Sequence, residues 1–81
     1  MPITSLVLTL DARELVRHHA LARLVADARV ELGTANGPHL PAVLDTASAR
    51  EGAELLEELL ATPGVLHIDV VGVDFSLDEG A

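Results

Sequence analysis

Two short patterns in this chain combine residue types that can bind metal or take part in acid–base chemistry: His67 with Asp69, and the pair His18 and His19. Residues two apart on a strand share a face, so His67 and Asp69 can form one hydrogen-bonded pair. Adjacent helical residues point about 100° apart, so His18 and His19 are poorly placed to bind one metal ion. The sequence therefore predicts no metal site, and His67 with Asp69 is either a ligand-binding pair or part of a solvated sheet face.

The sequence offers no recognisable catalytic group. A nucleophile needs a positioned base, and neither Ser5, Ser48 nor Ser76 has a companion histidine in such an arrangement. The glycines are isolated and form no phosphate-binding loop, and the carboxylates of the second predicted helix face solvent. We expect a protein that is not an enzyme and that needs no cofactor.

The charge of the chain limits the classes of partner. Thirteen Asp and Glu residues stand against five arginines, lysine is absent, and the formal net charge is −8. Nucleic acid is not expected as a partner, because phosphate binding needs a basic patch and base stacking needs aromatic side chains, whereas Phe75 is the only aromatic residue. The acidity favours a cationic partner, or it only keeps a small protein in solution.

Length and patterning predict a single domain over residues 1–81, without disulfides because the chain has no cysteine. The first strand follows Met1 directly, without a basic segment and a long apolar run, and no stretch of about 18 apolar residues occurs. We expect a cytoplasmic protein that does not insert into membranes.

Periodicity and turn residues predict the order β-α-β-β-α-β. The expected elements are strands over 3–10, 29–32, 40–46 and 65–75 and helices over 12–26 and 49–60. This order predicts a ferredoxin-like α+β domain, in which two helices cover one face of an antiparallel four-stranded sheet and leave the other face open. Leu6, Leu8 and Leu10 alternate along the first strand and should face the helices.

Capping and breaking residues refine these elements. Asp11 with Glu14 and Ser48 with Glu51 have the form of capping boxes. The expected apolar stripe of the first helix contains Leu15, Ala22 and Val25, with Leu21, Leu24 and Ala28 at its edge, and that of the second contains Ala49, Gly52, Ala53, Leu56, Leu59 and Leu60. Pro41 should lie at the first residues of its strand or at a bulge, and Gly72 is a second candidate for a bulge.

Alternation places the residues of the last strand on two faces. Leu66, Ile68 and Val70 are expected on one face, and His67, Asp69, Val71 and Val73 on the other.

The chain resembles the NapD family, small cytoplasmic chaperones of the periplasmic nitrate reductase. The resemblance covers nearly the whole chain and lies in 5–8 of the first strand, in Gly37 before an apolar strand that ends at Asp45, and in 63–66 with Val70 and Val71 beyond. It implies a protein that binds the twin-arginine signal peptide of the nitrate reductase catalytic subunit and holds back its export until the cofactor has been inserted.

Such a peptide carries two arginines followed by an apolar stretch, so its receptor needs carboxylates beside an aliphatic surface. The candidate peptide-binding residues are Ile3, Ser5, Val7, Val43, Asp45, His67, Asp69 and Val71, with Glu31 beside them. A monomer or weak dimer is expected. The alternatives are a regulatory module like the amino-acid-binding ACT domains, which would act as a dimer, and a structural subunit whose open face is an oligomer contact.

Overall fold

The computed structural model describes residues 2–74, and its elements follow the predicted order. The strands are β1 (Ile3–Leu10), β2 (Val30–Leu32), β3 (His39–Asp45) and β4 (Val65–Asp74), and the helices are α1 (Glu14–Val25) and α2 (Ala49–Leu60). The sheet order is β2-β3-β1-β4, and every neighbouring pair is antiparallel. The domain is therefore ferredoxin-like, as predicted. The predicted end of the last strand at Phe75 and the acidic tail lie outside the described residues.

The core lies between one face of the sheet and the two helices. Leu6, Leu8 and Leu10 of β1 are buried as predicted, and the same cluster includes Ala20 and Leu24 of α1, Leu40, Ala42 and Leu44 of β3, Leu55 and Leu59 of α2, and Val65. Burying one such leucine contributes about 1.5 to 3 kcal/mol, so the alternation along β1 is enough to fix which sheet face the helices cover.

The start of α1 differs from the prediction, because Asp11 does not form a capping box. Its carboxylate accepts hydrogen bonds from the Arg13 backbone N–H at 2.9 Å and from Arg13 Nη2 at 2.7 Å. The helix begins at Glu14, and Arg13 occupies the N-cap position without a side-chain cap. Since Arg13 holds the Asp11 carboxylate, that group is not used to cap the first turn.

The predicted stripe of α1 was wrong. Leu15 is 85% exposed and Val25 is 72% exposed, whereas Ala20 and Leu24 are buried. The turn at Gly64 explains this rotation: a Cβ atom at Gly64 would lie 2.9 Å from the Ala20 Cβ, so the turn packs directly on that small side chain. The turn therefore contacts α1 at Ala20 and also at Val16, whose Cγ1 would lie 3.2 Å from that Cβ atom.

The predicted cap of α2 is confirmed, but its stripe is shifted. Ser48 Oγ accepts from the Glu51 N–H at 3.1 Å, and Glu51 Oε1 accepts from the Ala47 N–H at 2.9 Å. Leu55 and Leu59 are fully buried, Leu56 is half-buried, and Leu60 is 53% exposed. The predicted Ala49 and Ala53 are also exposed, whereas the predicted Gly52 is buried. Neither helix within residues 2–74 is long and apolar enough to cross a membrane.

Pro41 is the third residue of β3, and no bulge accompanies it in the pairing with β1. Its carbonyl accepts from the Gly33 N–H at 2.8 Å, on the β2 side of the strand. Because the N–H and C=O of one residue in an antiparallel strand point to the same neighbour, the Pro41 nitrogen also faces Gly33, just past the end of β2. The missing donor therefore leaves the ladder between β3 and β1 intact.

Strand β4 contains two irregularities that change its alternation. Its register against β1 shifts between Ser5 and Leu6, as predicted for a bulge near Gly72, and again between Thr9 and Leu10. The first shift leaves Val71 without a partner and places Val73 opposite Thr4, on the helix-covered face. The predicted position of Val73 on the open face was therefore wrong.

Candidate functional site

The sheet face opposite the helices, here called the open face, is arranged in four cross-strand rows. Read from β3 through β1 to β4, the rows are Asp45, Ile3 and Asp74; Val43, Ser5 and Gly72; Pro41, Val7 and Asp69; and His39, Thr9 and His67. Glu31 of β2 extends the second row, because it pairs with Val43. Paired residues point to the same side of a sheet, so each row crosses the face at one level.

The structure brings all eight predicted site residues to this face. Ile3, Ser5 and Val7 occupy it from β1, Val43 and Asp45 from β3, and His67 and Asp69 from β4. Val71 lies in the β4 bulge and contributes to the same surface depression as Ser5, Val7 and Val43. The grouping follows from the strand order, because β1 lies in the sheet between β3 and β4.

A shallow apolar depression of about 430 Å³ occupies the middle of the open face. Val7, Pro41, Val43 and Val71 line it, together with Ser5 and, at the β2 side, Glu31 and Gly33. Val7 and Val43 are half-buried although no helix covers them, while Val71 is 70% exposed. The depression can therefore accept apolar side chains of a partner, and aliphatic contact would be its main attraction.

One acidic side chain, Glu31, lines this depression, and a second, Asp45, lies one row beyond Val43. Glu31 and Asp45 are exposed, and neither carboxylate makes a side-chain hydrogen bond or ion pair with any of residues 2–74. None of the five arginines belongs to a strand. Arg13, Arg23 and Arg29 instead pair with Asp11 and Asp27 at the two ends of α1. The open face is therefore an apolar surface with negative borders and no arginine in its strands.

The predicted pairing of His67 with Asp69 is confirmed. His67 Nε2 lies 3.0 Å from Asp69 Oδ1, and both side chains are mostly exposed. Within the described part of the chain, no group of three His, Cys, Asp or Glu side chains could hold a metal ion. The pair can accept or donate hydrogen bonds at the edge of the face.

Two residues of β3 on the open face were not predicted, His39 and Pro41. His39 Nδ1 lies 3.4 Å from Thr9 Oγ1, so it closes the end of the face opposite Ile3. Pro41 lines the centre of the depression. Both follow from the register of β3 against β1, and counting by two from Val43 back along β3 would have found them.

A pattern repeated at both ends of α1 was also missed: Asp11 with Arg13, and Asp27 with Arg29. In each, the aspartate accepts from the backbone N–H and from the guanidinium of the arginine, and Arg23 adds a third partner to Asp27. The Arg13 hydrogen bonds lower the pKa of Asp11 to about 2, and those of Arg29 lower the pKa of Asp27 further below its ordinary value. The signal was the tripeptide Asp-Ala-Arg, which occurs twice.

A smaller cleft of about 170 Å³ lies on the helix-covered side, beside α2. Its lining consists of Pro2, Thr4, Thr46, Ala49, Gly52, Ala53, Leu56 and Val73. Thr46 Oγ1 already donates to the Ser48 carbonyl at 3.0 Å, so this threonine is engaged locally. The cleft contains no carboxylate or histidine and adds no chemistry to the open face.

Comparison with known proteins assigns no family to this chain. No protein-family model matches the chain, and no curated protein and no solved structure matches it. The open face, with its apolar depression and the exposed acids Glu31 and Asp45 beside it, is therefore the main indication of function.

Proposed function

We propose that this chain is a binding protein that captures a twin-arginine leader peptide on its open face. It acts as a NapD-like cytoplasmic chaperone of the nitrate reductase catalytic subunit, holds back export until the cofactor has been inserted, and catalyses no reaction. The observation that supports this proposal is the apolar depression with two unpaired carboxylates at one end, Glu31 in its lining and Asp45 one row beyond, on a face whose strands carry no arginine. The leader offers the complementary chemistry, two guanidinium groups followed by apolar side chains.

The arrangement suits a peptide better than a small polar ligand. The depression is shallow and lined mainly by aliphatic side chains, and Glu31 is the one acid in its lining. A segment of peptide can cover such a surface continuously, so that apolar burial supplies affinity and Arg–carboxylate pairing supplies specificity.

Calorimetric titration with a synthetic twin-arginine leader tests the proposal. We expect binding that weakens when both arginines of the leader are replaced by glutamine, because charge-assisted hydrogen bonds to carboxylates are lost. A leader that produces no heat of binding, and no shift of open-face amide resonances in NMR spectra, would contradict the proposal.

Matched variants locate the interaction on the protein. Asp45→Asn removes one negative charge from the open face and is expected to weaken leader binding by about 1 to 3 kcal/mol, as for other hydrogen bonds to charged groups. Glu57→Gln removes one negative charge from the exposed side of α2 and should leave the affinity within about 0.5 kcal/mol of the original value. Equal losses in the two variants would indicate a general charge effect and not a site on the open face.

A second candidate is a regulatory module of ACT type that acts as a dimer. The observation in its favour is the exposed apolar surface of the edge strand β4, where Leu66, Val70, Val71 and Val73 are each about half exposed or more. Side-by-side pairing of two such edges would cover this surface. Sedimentation velocity discriminates the two candidates, because the ACT-like module requires a stable dimer and the chaperone requires only a monomer.

A further inference from the structure

We infer that a leader bound on the open face lies in one direction only, with its arginines beside Glu31 and Asp45 and its apolar stretch over Val43 and Val7 toward Thr9. This inference rests on the proposed function and adds to it the orientation of the peptide. The leader would then run in the same direction as β1, from the level of Ile3 to the level of Thr9.

The two ends of the open face differ in charge. Asp45 lies in the row of Ile3, and Glu31 extends the neighbouring row through its pairing with Val43. The two acids are therefore diagonal neighbours, whose Cα atoms lie about 7 to 8 Å apart in an antiparallel pair. Two adjacent arginines can reach both carboxylates. The opposite end of the face is formed by His39, Thr9 and His67, a row without a carboxylate.

The third acid near the depression, Asp69, is already engaged. Its Oδ1 lies 3.0 Å from His67 Nε2, whereas Glu31 and Asp45 have no side-chain partner among residues 2–74. An arginine that approached Asp69 would have to displace or share the histidine. Pairing with Glu31 and Asp45 replaces only water, so these two carboxylates are the favoured positions for the leader's arginines.

The apolar part of the leader then has one direction to follow. From Glu31, the depression extends past Val43 and Ser5 to Val7 and Pro41, with Val71 on its β4 side, and Asp45 lies one row beyond it at the end away from Val7. In a twin-arginine leader the apolar stretch follows the arginines in the chain. Its N-terminal part therefore lies at the level of Ile3, and its C-terminal part at the level of Thr9.

A charge exchange tests the position of the arginines. We expect Asp45→Arg to weaken binding of the leader by about tenfold or more, and a leader with both arginines changed to glutamate to bind this variant about tenfold more tightly than the unsubstituted protein. Asp69→Arg is the matched control on the other side of Val7 and should give no such gain. A gain with Asp69→Arg and none with Asp45→Arg would overturn the inference.

The direction itself is measured on the unsubstituted protein by paramagnetic relaxation in NMR spectra. A nitroxide at the N-terminus of the leader should broaden the amide resonances of Ile3 and Asp45, and a nitroxide at its C-terminus should broaden those of Thr9 and His67. The reversed pattern would overturn the orientation while leaving leader binding intact. Failure of every leader to bind would instead overturn the proposed function, so the two failures are distinguishable.

Discussion

An aspartate followed two residues later by an arginine flanks α1 at both ends. Each pair stabilises a connection in which the chain changes direction sharply. The Asp11 backbone N–H also donates to the Gly64 carbonyl at 2.8 Å, which connects the end of β1 to the turn before β4. The Asp27 carboxylate forms ion pairs with both Arg29 and Arg23. Arg23 Nη2 also lies 3.7 Å from Glu58 Oε1 of α2. These local pairs position α1, whose N-terminus has no side-chain cap in the folded chain.

The lowered pKa values of Asp11 and Asp27 predict how stability depends on pH. An unfolded aspartate has a pKa of about 3.9, so these two carboxylates stabilise the fold fully above that pH. Their contribution is lost as the pH falls through their pKa values in the folded protein. For Asp11 this pKa is about 2. We expect the free energy of unfolding, measured by urea titration, to decrease between about pH 5 and about pH 2.

A double variant, Asp11→Asn with Asp27→Asn, should reduce this decrease, because neither amide titrates. The same substitution type at an exposed position, Glu57→Gln, should leave the slope unchanged. An equally steep fall in the double variant would show that the acid sensitivity arises from other carboxylates.

At the scale of elements, the rotation of α2 can be tested with two leucines of one helix. Leu55 is fully buried and Leu60 is 53% exposed. We expect Leu55→Ala to lower the free energy of unfolding by about 2 to 5 kcal/mol, as for other core truncations. Leu60→Ala should cost less than about 1 kcal/mol in chemical denaturation, since an exposed side chain leaves no cavity. Similar losses in the two variants would place both leucines in the core.

The contact between α1 and the turn before β4 can be tested with two glycines. Gly64 has φ +98° and Gly37 has φ +62°, so alanine is strained at both positions. A Cβ atom at Gly64 would also lie 2.6 Å from the Val16 carbonyl oxygen, whereas nothing lies within 4 Å at Gly37.

Gly37→Ala should therefore cost about 1 to 2 kcal/mol of stability, from backbone strain alone. Gly64→Ala should cost clearly more, because the turn must also move away from α1. Thermal or chemical denaturation measures both. If the two costs are equal, the turn can move without loss of packing.

Element order and the pattern of β1 could be predicted because alternation and capping are local signals. The helix rotations could not, since adjacent leucines at 55–56 and 59–60 allow two stripes about 100° apart. Tertiary packing decides between them: α2 buries Leu55 and Leu59 together with Gly52, where a Cβ atom would lie 3.2 Å from Thr46 Oγ1. The face of Val73 was missed for a related reason, because one bulge residue reverses every later position of a strand.

The candidate site was more predictable than the core around it. Alternation from the strand bounds assigned Val7, Val43 and Asp69 to the face away from the helices, and strand order then brought them together. The remaining members, His39 and Pro41, follow from the same alternation along β3 but were not assigned, because the strand was expected to begin at residue 40 with Pro41 among its first residues or at a bulge.

At the scale of the whole molecule, charge is divided between the two sides of the sheet. Four carboxylates, those of Glu31, Asp45, Asp69 and Asp74, occupy positions on the open face, while all five arginines lie in the helices and connections. The helical side also carries acids, but many of its charges are neutralised in ion pairs such as Arg13 with Asp11. A cationic partner is therefore attracted mainly to the open face.

This division predicts a salt-dependent association rate for the proposed leader. We expect the association rate constant in stopped-flow measurements to fall by about tenfold or more between about 20 mM and about 0.5 M salt, while the dissociation rate changes little. A leader whose arginines are replaced by glutamine should lose most of this dependence. An association rate that is insensitive to salt would indicate that apolar contact alone guides the encounter.

The two bulges of β4 have a consequence for how the protein avoids aggregation. An edge strand of ten residues with exposed valines offers other chains a row of unpaired backbone donors and acceptors. Each bulge interrupts the regular spacing of that row and increases the local twist, so a foreign strand cannot align along its whole length. A molecule that must keep an apolar sheet face uncovered in water is thereby protected against uncontrolled extension of its sheet.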